Sequence, residues 1–407
     1  MRPFLNIDDY RLAAERRLPR VVFDYIDGGA ESEQTVRANA DAFAHVGLRP
    51  RGGVRADRVS LAVTVLGQRL ALPVILGPCG GARVVRPGGD SAAARAAGNA
   101  GTAFVLSAMS GHDVAEVVAA STGPVWFQLY DLPDCEPIES VVHRATQAGV
   151  TALVVTIDTA AEAVRERDRR NGIAELLGPS RWRAIPPFLP LLTRPRWLSE
   201  RIADGLVPPL ANVRRADGTA AYLGGNFTPR SLTWSQLRTM RRLWDGPLVV
   251  KGVLTPDDAR HALDEGATGV VVSNHGGRQL DGAESTLRAL PEIVAAVGSE
   301  CDVLVDGGVR RGTDVLKALA IGARAVLIAR PWLYGLAADG ERGVRAVLEL
   351  LEDSLARNLV LLGCDRVVEL SPRHVRVPVE WLTAPPPRVA SQLDAEDVHA
   401  TNSPQGP

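Results

Sequence analysis

Eight short apolar runs, most followed by a helical pattern, constrain this chain more than any other feature. They fall at 73–78, 102–107, 125–130, 152–158, 247–252, 269–274, 302–308 and 325–330. Most are near-continuous in Val, Leu and Ile, which is the pattern of parallel strands buried on both faces. Helical stretches lie between them, among them 90–100, 113–120, 256–266 and 312–322. The third opens on Pro256 with two acids behind it and closes on Gly266, a start and a stop signal. Eight strand–helix units predict an α/β fold of the TIM (β/α)8 barrel type. A doubly wound open sheet is the competing architecture. Polar residues gathered at the C-terminal ends of nearly all eight strands favour the barrel.

Three regions stand outside the repeat. Residues 7–43 read as short helices ahead of the barrel. Residues 58–71 alternate as a hairpin suited to cover the barrel's bottom. Residues 159–230 form a long insertion after the fourth strand, in which Pro186-Pro187-Phe188-Leu189-Pro190-Leu191-Leu192 sits beside Trp182, Trp197 and several Arg. This composition fits a mobile lid over the active site, or an interfacial patch that lies on a membrane. From 381 to 407 the chain turns Pro-rich and polar, and disorder is expected there. One domain is expected over 1–380, a length that a single α/β barrel can use.

Charge narrows the partners. The 46 Lys and Arg nearly balance 47 Asp and Glu, so no basic excess points to nucleic acid. The four cysteines, Cys79, Cys135, Cys301 and Cys364, show no close pair at zinc or redox spacing. No metal site is expected, and a reduced, cytoplasmic setting fits. The first twenty residues mix acids with Arg, unlike a secretory signal. No apolar run reaches the roughly 18 residues of a spanning helix. Location at the inner face of a membrane would follow only from the interfacial reading of the insertion.

In such a barrel, function sits at the C-terminal rim. Of the seven histidines, only His275 directly follows an expected strand end. Its imidazole has the pKa of a base near neutrality, and the flanking Gly276-Gly277 would let backbone approach a ligand. A histidine merely packed in a loop is the plainer alternative. Arg278 and Arg165 suit a carboxylate held by forked hydrogen bonds, or surface ion pairs. Asp158, at the end of the fourth strand, could orient His275 or simply cap a loop. Lys251 emerges from a buried strand, which is costly without a partner; an anionic cofactor or a structural carboxylate would supply one. The turn Asp306-Gly307-Gly308-Val309-Arg310 after the seventh strand, with Ala329-Arg330 after the eighth, stands where barrels commonly hold phosphate.

Together these residues resemble one family. The stretch Val272-Ser273-Asn274-His275-Gly276-Gly277-Arg278-Gln279-Leu280-Asp281 is highly specific to the FMN-dependent 2-hydroxy acid dehydrogenases and oxidases. Supporting matches are Asp24-Tyr25, Gly28-Gly29-Ala30-Glu31, Trp126-Phe127-Gln128-Leu129-Tyr130, Lys251-Gly252 and Asp306-Gly307-Gly308. The resemblance runs from about residue 5 to about 375. It implies FMN as cofactor, a small 2-hydroxy acid as substrate and a tetrameric assembly. His275 would be the base and Asp158 its partner. Arg165, Arg278 and Tyr25 would bind the substrate carboxylate, and Tyr130 its hydroxyl. Lys251 would face the flavin N1/O2 edge. Pro78, Cys79 and Gly80 would run behind the ring. Ser107, Gln128, Thr156 and Ser273 would bind the ring or ribityl chain. Asp306, Gly307, Gly308 and Arg310, with Ala329 and Arg330, would hold the ribityl and phosphate groups.

Some positions depart from the family pattern. Gly80 stands where oxidases often carry Ala, which points to an electron acceptor other than oxygen, its identity open. Cys79 replaces a common Thr or Val. Met109 replaces a Trp of the substrate pocket in glycolate oxidase, so the cavity differs in shape. Ala329 replaces a Gly but keeps its amide. Around the insertion, Arg165-Glu166-Arg167-Asp168 and Arg194-Pro195-Arg196-Trp197 look most like the mandelate and lactate dehydrogenase branch. A peroxide-producing oxidase, a non-catalytic flavin-binding protein and a nucleotide dehydrogenase with a catalytic Cys are the alternatives. Retention of His275, Arg278, Arg165, Tyr130 and Lys251 together argues against the second. Only Cys79 lies near the rim for the third.

Overall fold

The computed structural model describes residues 4–56, 58–132, 134–178, 189–224 and 232–382. The eight expected strands are present as β1 (Val74–Leu76), β2 (Phe104–Ser107), β3 (Val125–Leu129), β4 (Ala152–Thr156), β5 (Leu248–Val253), β6 (Gly269–Val272), β7 (Asp302–Val305) and β8 (Ala325–Ile328). They close into a barrel in chain order, all parallel. The open-sheet alternative is excluded.

Side chains alternate across each strand. Ile75, Val105, Trp126, Val154, Val249, Val271, Leu304 and Leu327 fill the barrel interior. Their neighbours Leu76, Phe104, Phe127, Val155, Val250, Val270, Val305 and Val326 face the surrounding helices in a second, larger core. Both faces are dry, which is why the sequence shows near-continuous apolar runs rather than alternation. The expected hairpin pairs Val63–Val65 with Gln68–Leu70. Val63, Val65 and Leu70 join the interior core and plug the barrel's bottom, where Trp126 Nε1 donates to Gln68 Oε1 at 3.1 Å.

Most strands stop before their expected ends. At β7 the reason is backbone: Gly307 (φ 89°) and Gly308 (φ 83°) leave the extended region. Arg330 does not end β8; it opens the helix Arg330–Leu361. That helix is broken at Asp339-Gly340, whose torsions are not helical. Among the described residues, three helices precede the barrel: α1 (Ile7–Arg17), α2 (Arg20–Asp27) and α3 (Gln34–His45).

The helix Pro195–Ala203 of the insertion is packed against the rest of the chain rather than hanging free. Trp197, on the helix Pro195–Ala203, is 4% exposed, and its Nε1 donates to Val84 O at 3.1 Å. Arg17 pairs with Glu200 at 2.6 Å. The second half of the apolar string forms a short 3-10 turn, Leu189–Thr193. Trp182, Pro186, Pro187, Phe188 and the tail from 383 to 407 lie outside the described residues. Among the described residues, no helix is long and apolar enough to cross a membrane.

Candidate functional site

One cavity opens at the C-terminal rim. It is lined by Tyr25, Pro78, Cys79, Gly80, Gln128, Tyr130, Arg165, Lys251, His275, Arg278, Asp306, Gly307, Gly308, Arg310, Ala329 and Arg330. These come from α2, the insertion and nearly every strand end. Four expected site residues are not on its lining, and each is bonded behind it. Ser107 Oγ accepts from Met109 N at 3.2 Å. Thr156 Oγ1 accepts from Gln128 Nε2 at 2.7 Å. Ser273 Oγ accepts from Lys251 Nζ at 2.9 Å and from His275 N at 3.1 Å. Asp158 Oδ1 lies 3.0 Å from His275 Nδ1.

The His275–Asp158 contact depends on an irregularity in β5. The register against β6 shifts between Lys251 and Val253, where Gly252 takes φ 103°. A side chain at Gly252 would meet Asp158 Cβ at 2.7 Å, so only glycine leaves room for that carboxylate. His275 itself has φ 57°, an uncommon value for a side chain that must point into a site. Burial lowers the His275 pKa below its ordinary value, and the charge of Asp158 only partly offsets this. Burial pushes Asp158 up, but His275 and Lys251 pull harder and the net shift is downward. The pair at neutral pH is therefore a carboxylate beside a neutral imidazole.

Cations crowd the other walls. Lys251 Nζ lies 3.1 Å from Asp306 Oδ2, both nearly buried. Burial lowers the Lys251 pKa, yet Asp306 and Asp158 overcome it and the net shift is upward, so the ammonium persists. Arg278 donates to the carbonyls of Tyr25 and Gly28 and lies over the Tyr25 ring, 5.3 Å from its centroid. Arg330 donates to the carbonyls of Asp27, Gly276 and Gly28. Burial pushes its pKa down to about 10. Burial, then the charge of Arg278, also lowers the Arg165 pKa. Such a cluster favours an anion.

Glycine spacing in the motifs serves α3 more than a ligand. A side chain on Gly308 would meet Asn39 O at 2.1 Å, and one on Gly277 would meet Val36 N at 2.7 Å. The expectation that Gly277 admits a ligand is thus replaced by close packing of a helix. Asp281 accepts from Ser32 Oγ, Gln34 N and Thr35 N, capping α3. Asn39 and Asn274 exchange side-chain bonds of 2.8 and 2.9 Å in the interior. Sequence reasoning missed Asn39 because nothing in a polar residue within a helix marks it as the anchor of a distant loop. It also missed Leu132 and Leu223 on the cavity wall.

Comparison with known proteins is consistent with this geometry. The family model described as FMN-dependent dehydrogenase matches residues 14–377. An L-lactate dehydrogenase of Caulobacter vibrioides is 45% identical over 370 residues, covering 89% of this chain and 95% of its own. One from Pseudomonas syringae pv. syringae is 42% identical over 372 residues, covering 90% and 96%. The crystal structure of the monotopic membrane protein (S)-mandelate dehydrogenase matches with a TM-score of 0.86 at 40% identity, over 93% of this chain and 100% of that one. A mandelate oxidase with (S)-2-phenylpropionate matches at 0.77 and 38%, over 92% and 98%. The chain belongs to the FMN-dependent dehydrogenase family. FMN is its cofactor, and its reaction is a dehydrogenation.

The cavity fits that cofactor. Gln128 Oε1 and Asp306 Oδ1 are buried acceptors with no hydrogen-bond partner among the described residues. Imide and hydroxyl donors of a flavin would satisfy them. Arg310 and Arg330, beside the Gly307-Gly308 turn, suit its phosphate.

Proposed function

We propose that this dehydrogenase oxidises a 2-hydroxy acid to the 2-oxo acid, with His275 as the base. The supporting observation is the His275–Asp158 pair in one cavity with Arg165 and Arg278. Lactate and mandelate, the substrates named for the relatives above, are both 2-hydroxy acids.

His275 Nδ1 donates to Asp158, so Nε2 keeps its lone pair for the substrate's hydroxyl proton. Asp158 then stabilises the imidazolium. Arg165 and Arg278 clamp the substrate carboxylate, with the Tyr25 hydroxyl assisting, and the Tyr130 hydroxyl orients the reacting oxygen. Bound FMN supplies the acceptor for the electrons that leave the α-carbon. Lys251, held by Asp306 and Ser273, sets a fixed positive charge at the flavin. Pro78, Cys79 and Gly80 back the ring. Gln128 would bind the ring or ribityl chain, with the Ser107, Thr156 and Ser273 hydroxyls bracing that wall from behind the lining, while Asp306–Arg310 and Ala329–Arg330 would hold the ribityl and phosphate groups.

Anaerobic titration of the holoenzyme with L-lactate, mandelate, glycolate and longer 2-hydroxy acids should bleach the flavin with at least one of them. A flavin that none reduces would sink this reading. Electrons should then leave to an acceptor other than oxygen. A side chain at Gly80 would stand 3.1 Å from Met109 Cβ, tighter than ordinary contact, and 3.6 Å from the Tyr25 hydroxyl, so an alanine there would press on Met109 and change this wall of the cavity. The likeness to a mandelate oxidase supports the alternative, a peroxide-forming enzyme. Oxygen uptake matched to substrate turnover would decide for the oxidase.

The insertion adds attachment to a membrane surface. Leu192 (65%) and Ile202 (59%) are exposed on the same segment as the exposed Arg196, an apolar and basic combination suited to a lipid interface. Sedimentation reads this together with assembly. A tetramer is expected alone, with co-pelleting on anionic vesicles. Protein left in the supernatant would refute the attachment.

A further inference from the structure

The two arginines assigned to the substrate carboxylate are held in different ways. Arg278 is fixed directly on the end of α2. The last carbonyls of a helix lack partners within it, and here arginines take them. Gly28 O accepts from Arg278 Nη1 at 2.7 Å and from Arg330 Nη2 at 2.8 Å. Arg165 instead stands at the N-terminal cap of the helix Glu166–Asn171, which has six residues and none of them buried. So short a helix is not stable alone, and this one has no apolar face to pack. Arg165 also stands beside Arg278, where like charges repel. Among the described residues, the one hydrogen bond of its side chain runs from Nε to Arg278 O, at a long 3.4 Å.

Polar ties to α2 and the turn after it hold this helix in place. Arg167 Nη1 lies 3.0 Å from Asp27 Oδ2 and 3.6 Å from Asp24 Oδ1, and its Nη2 donates to Glu33 Oε2 at 2.5 Å. Among the described residues it is the only cation that meets all three carboxylates, each largely withdrawn from solvent. Asn171 Nδ2 donates to Asp24 Oδ2 at 2.5 Å, and Glu31 N donates to Val164 O at 2.8 Å. Asp27 is fixed in turn by Arg11 at 2.6 Å and by the Tyr334 hydroxyl at 2.7 Å. Glu33 also accepts from Gly29 N at 2.9 Å. The carboxylates are anchored from behind, so they hold Arg167, and the helix with it, against α2.

We propose that Arg167 is a positioning residue of the carboxylate clamp: it fastens the helix behind Arg165 to Asp27 and Glu33, and so keeps Arg165 in the cavity beside Arg278. The proposal rests on the reading of Arg165 and Arg278 as that clamp. Without Arg167 the helix loses its charged ties to α2, and repulsion between the two guanidiniums turns Arg165 towards water.

The test uses 2-hydroxyisobutyrate and its neutral amide on the FMN-loaded full chain, with dissociation constants read from perturbation of the flavin spectrum. The acid has no hydrogen on its α-carbon, so binding is read without turnover. The wild-type protein should prefer the acid to the amide by more than about tenfold. Arg167→Ala should cut that preference about tenfold by weakening the acid alone. Arg167→Lys, which keeps the charge but not the fork, should recover part of it. Glu33→Gln, which keeps an acceptor for Gly29 N, should lower the preference in the same direction. Arg11→Ala removes a partner of the same Asp27 away from the clamp and should leave the preference unchanged. A preference unchanged in Arg167→Ala, or in Glu33→Gln where the alanine variant does not fold, overturns the positioning role and leaves the clamp standing. An equal drop in Arg11→Ala overturns it too, since any loosening around Asp27 would then suffice. No preference in the wild type overturns the clamp and this role with it. A protein that prefers the acid but whose flavin no 2-hydroxy acid reduces would refute the proposed reaction and leave the positioning role in place.

Discussion

His275→Ala should retain bound FMN and lose substrate-dependent bleaching, with anaerobic reduction slowed by a factor on the order of 10³. Among the described residues the side chain bonds only to Asp158, while the backbone of residue 275 is held by Ser273, so the loop should keep its shape. Stopped-flow reduction measures the loss, and a near-normal rate would remove His275 from the chemistry. The pH dependence gives an independent reading. Burial lowers the His275 pKa, so the free base is present at neutral pH and protonates only below the ordinary histidine value of about 6.5. The acid limb of kcat/KM should therefore fall below about 6.5. The same sign governs stability. A histidine whose folded pKa is depressed resists protonation in the native state. Its contribution is present above the unfolded pKa and is lost as pH falls from there towards the folded one. An acid limb above about 7 would contradict this environment.

Lys251→Met should weaken FMN binding by about 10-fold to 100-fold and slow reduction at saturating substrate. Two effects add. The fixed positive charge at the cofactor disappears. Asp306 also loses its 3.1 Å partner inside the protein, and breaking a buried pair costs about 3–5 kcal/mol. Thermal unfolding of the FMN-free protein separates the two. A fall in Tm with unchanged FMN affinity and reduction rate would make Lys251 a structural partner of Asp306 alone.

What the sequence made legible follows from burial. Strands dry on both faces write continuous apolar runs, so β1 to β8 could be placed to within a few residues. Rim residues were legible because they stand at or just past the ends of those runs: His275 after β6, Lys251 within β5, Asp306 after β7. Partnerships across the chain were not legible. Asn39 with Asn274, and Asp281 with the start of α3, are polar contacts between distant segments, and no periodicity encodes them. Leu223 sits in an insertion without repeat, where one leucine looks like any other. The break at Asp339-Gly340 hides within a pattern that otherwise reads as helix.

The bond between Asn39 and Asn274 bears on how the protein is made. It spans 235 positions, and a still longer bond, from the Tyr334 hydroxyl to Asp27, spans 307. A nascent chain holds α3 long before the loop that carries His275 has left the ribosome. Contacts this far apart in sequence form late and slowly. The cofactor pocket is therefore among the last parts to mature, and α3 must wait, half-packed, until the sixth strand arrives to complete it.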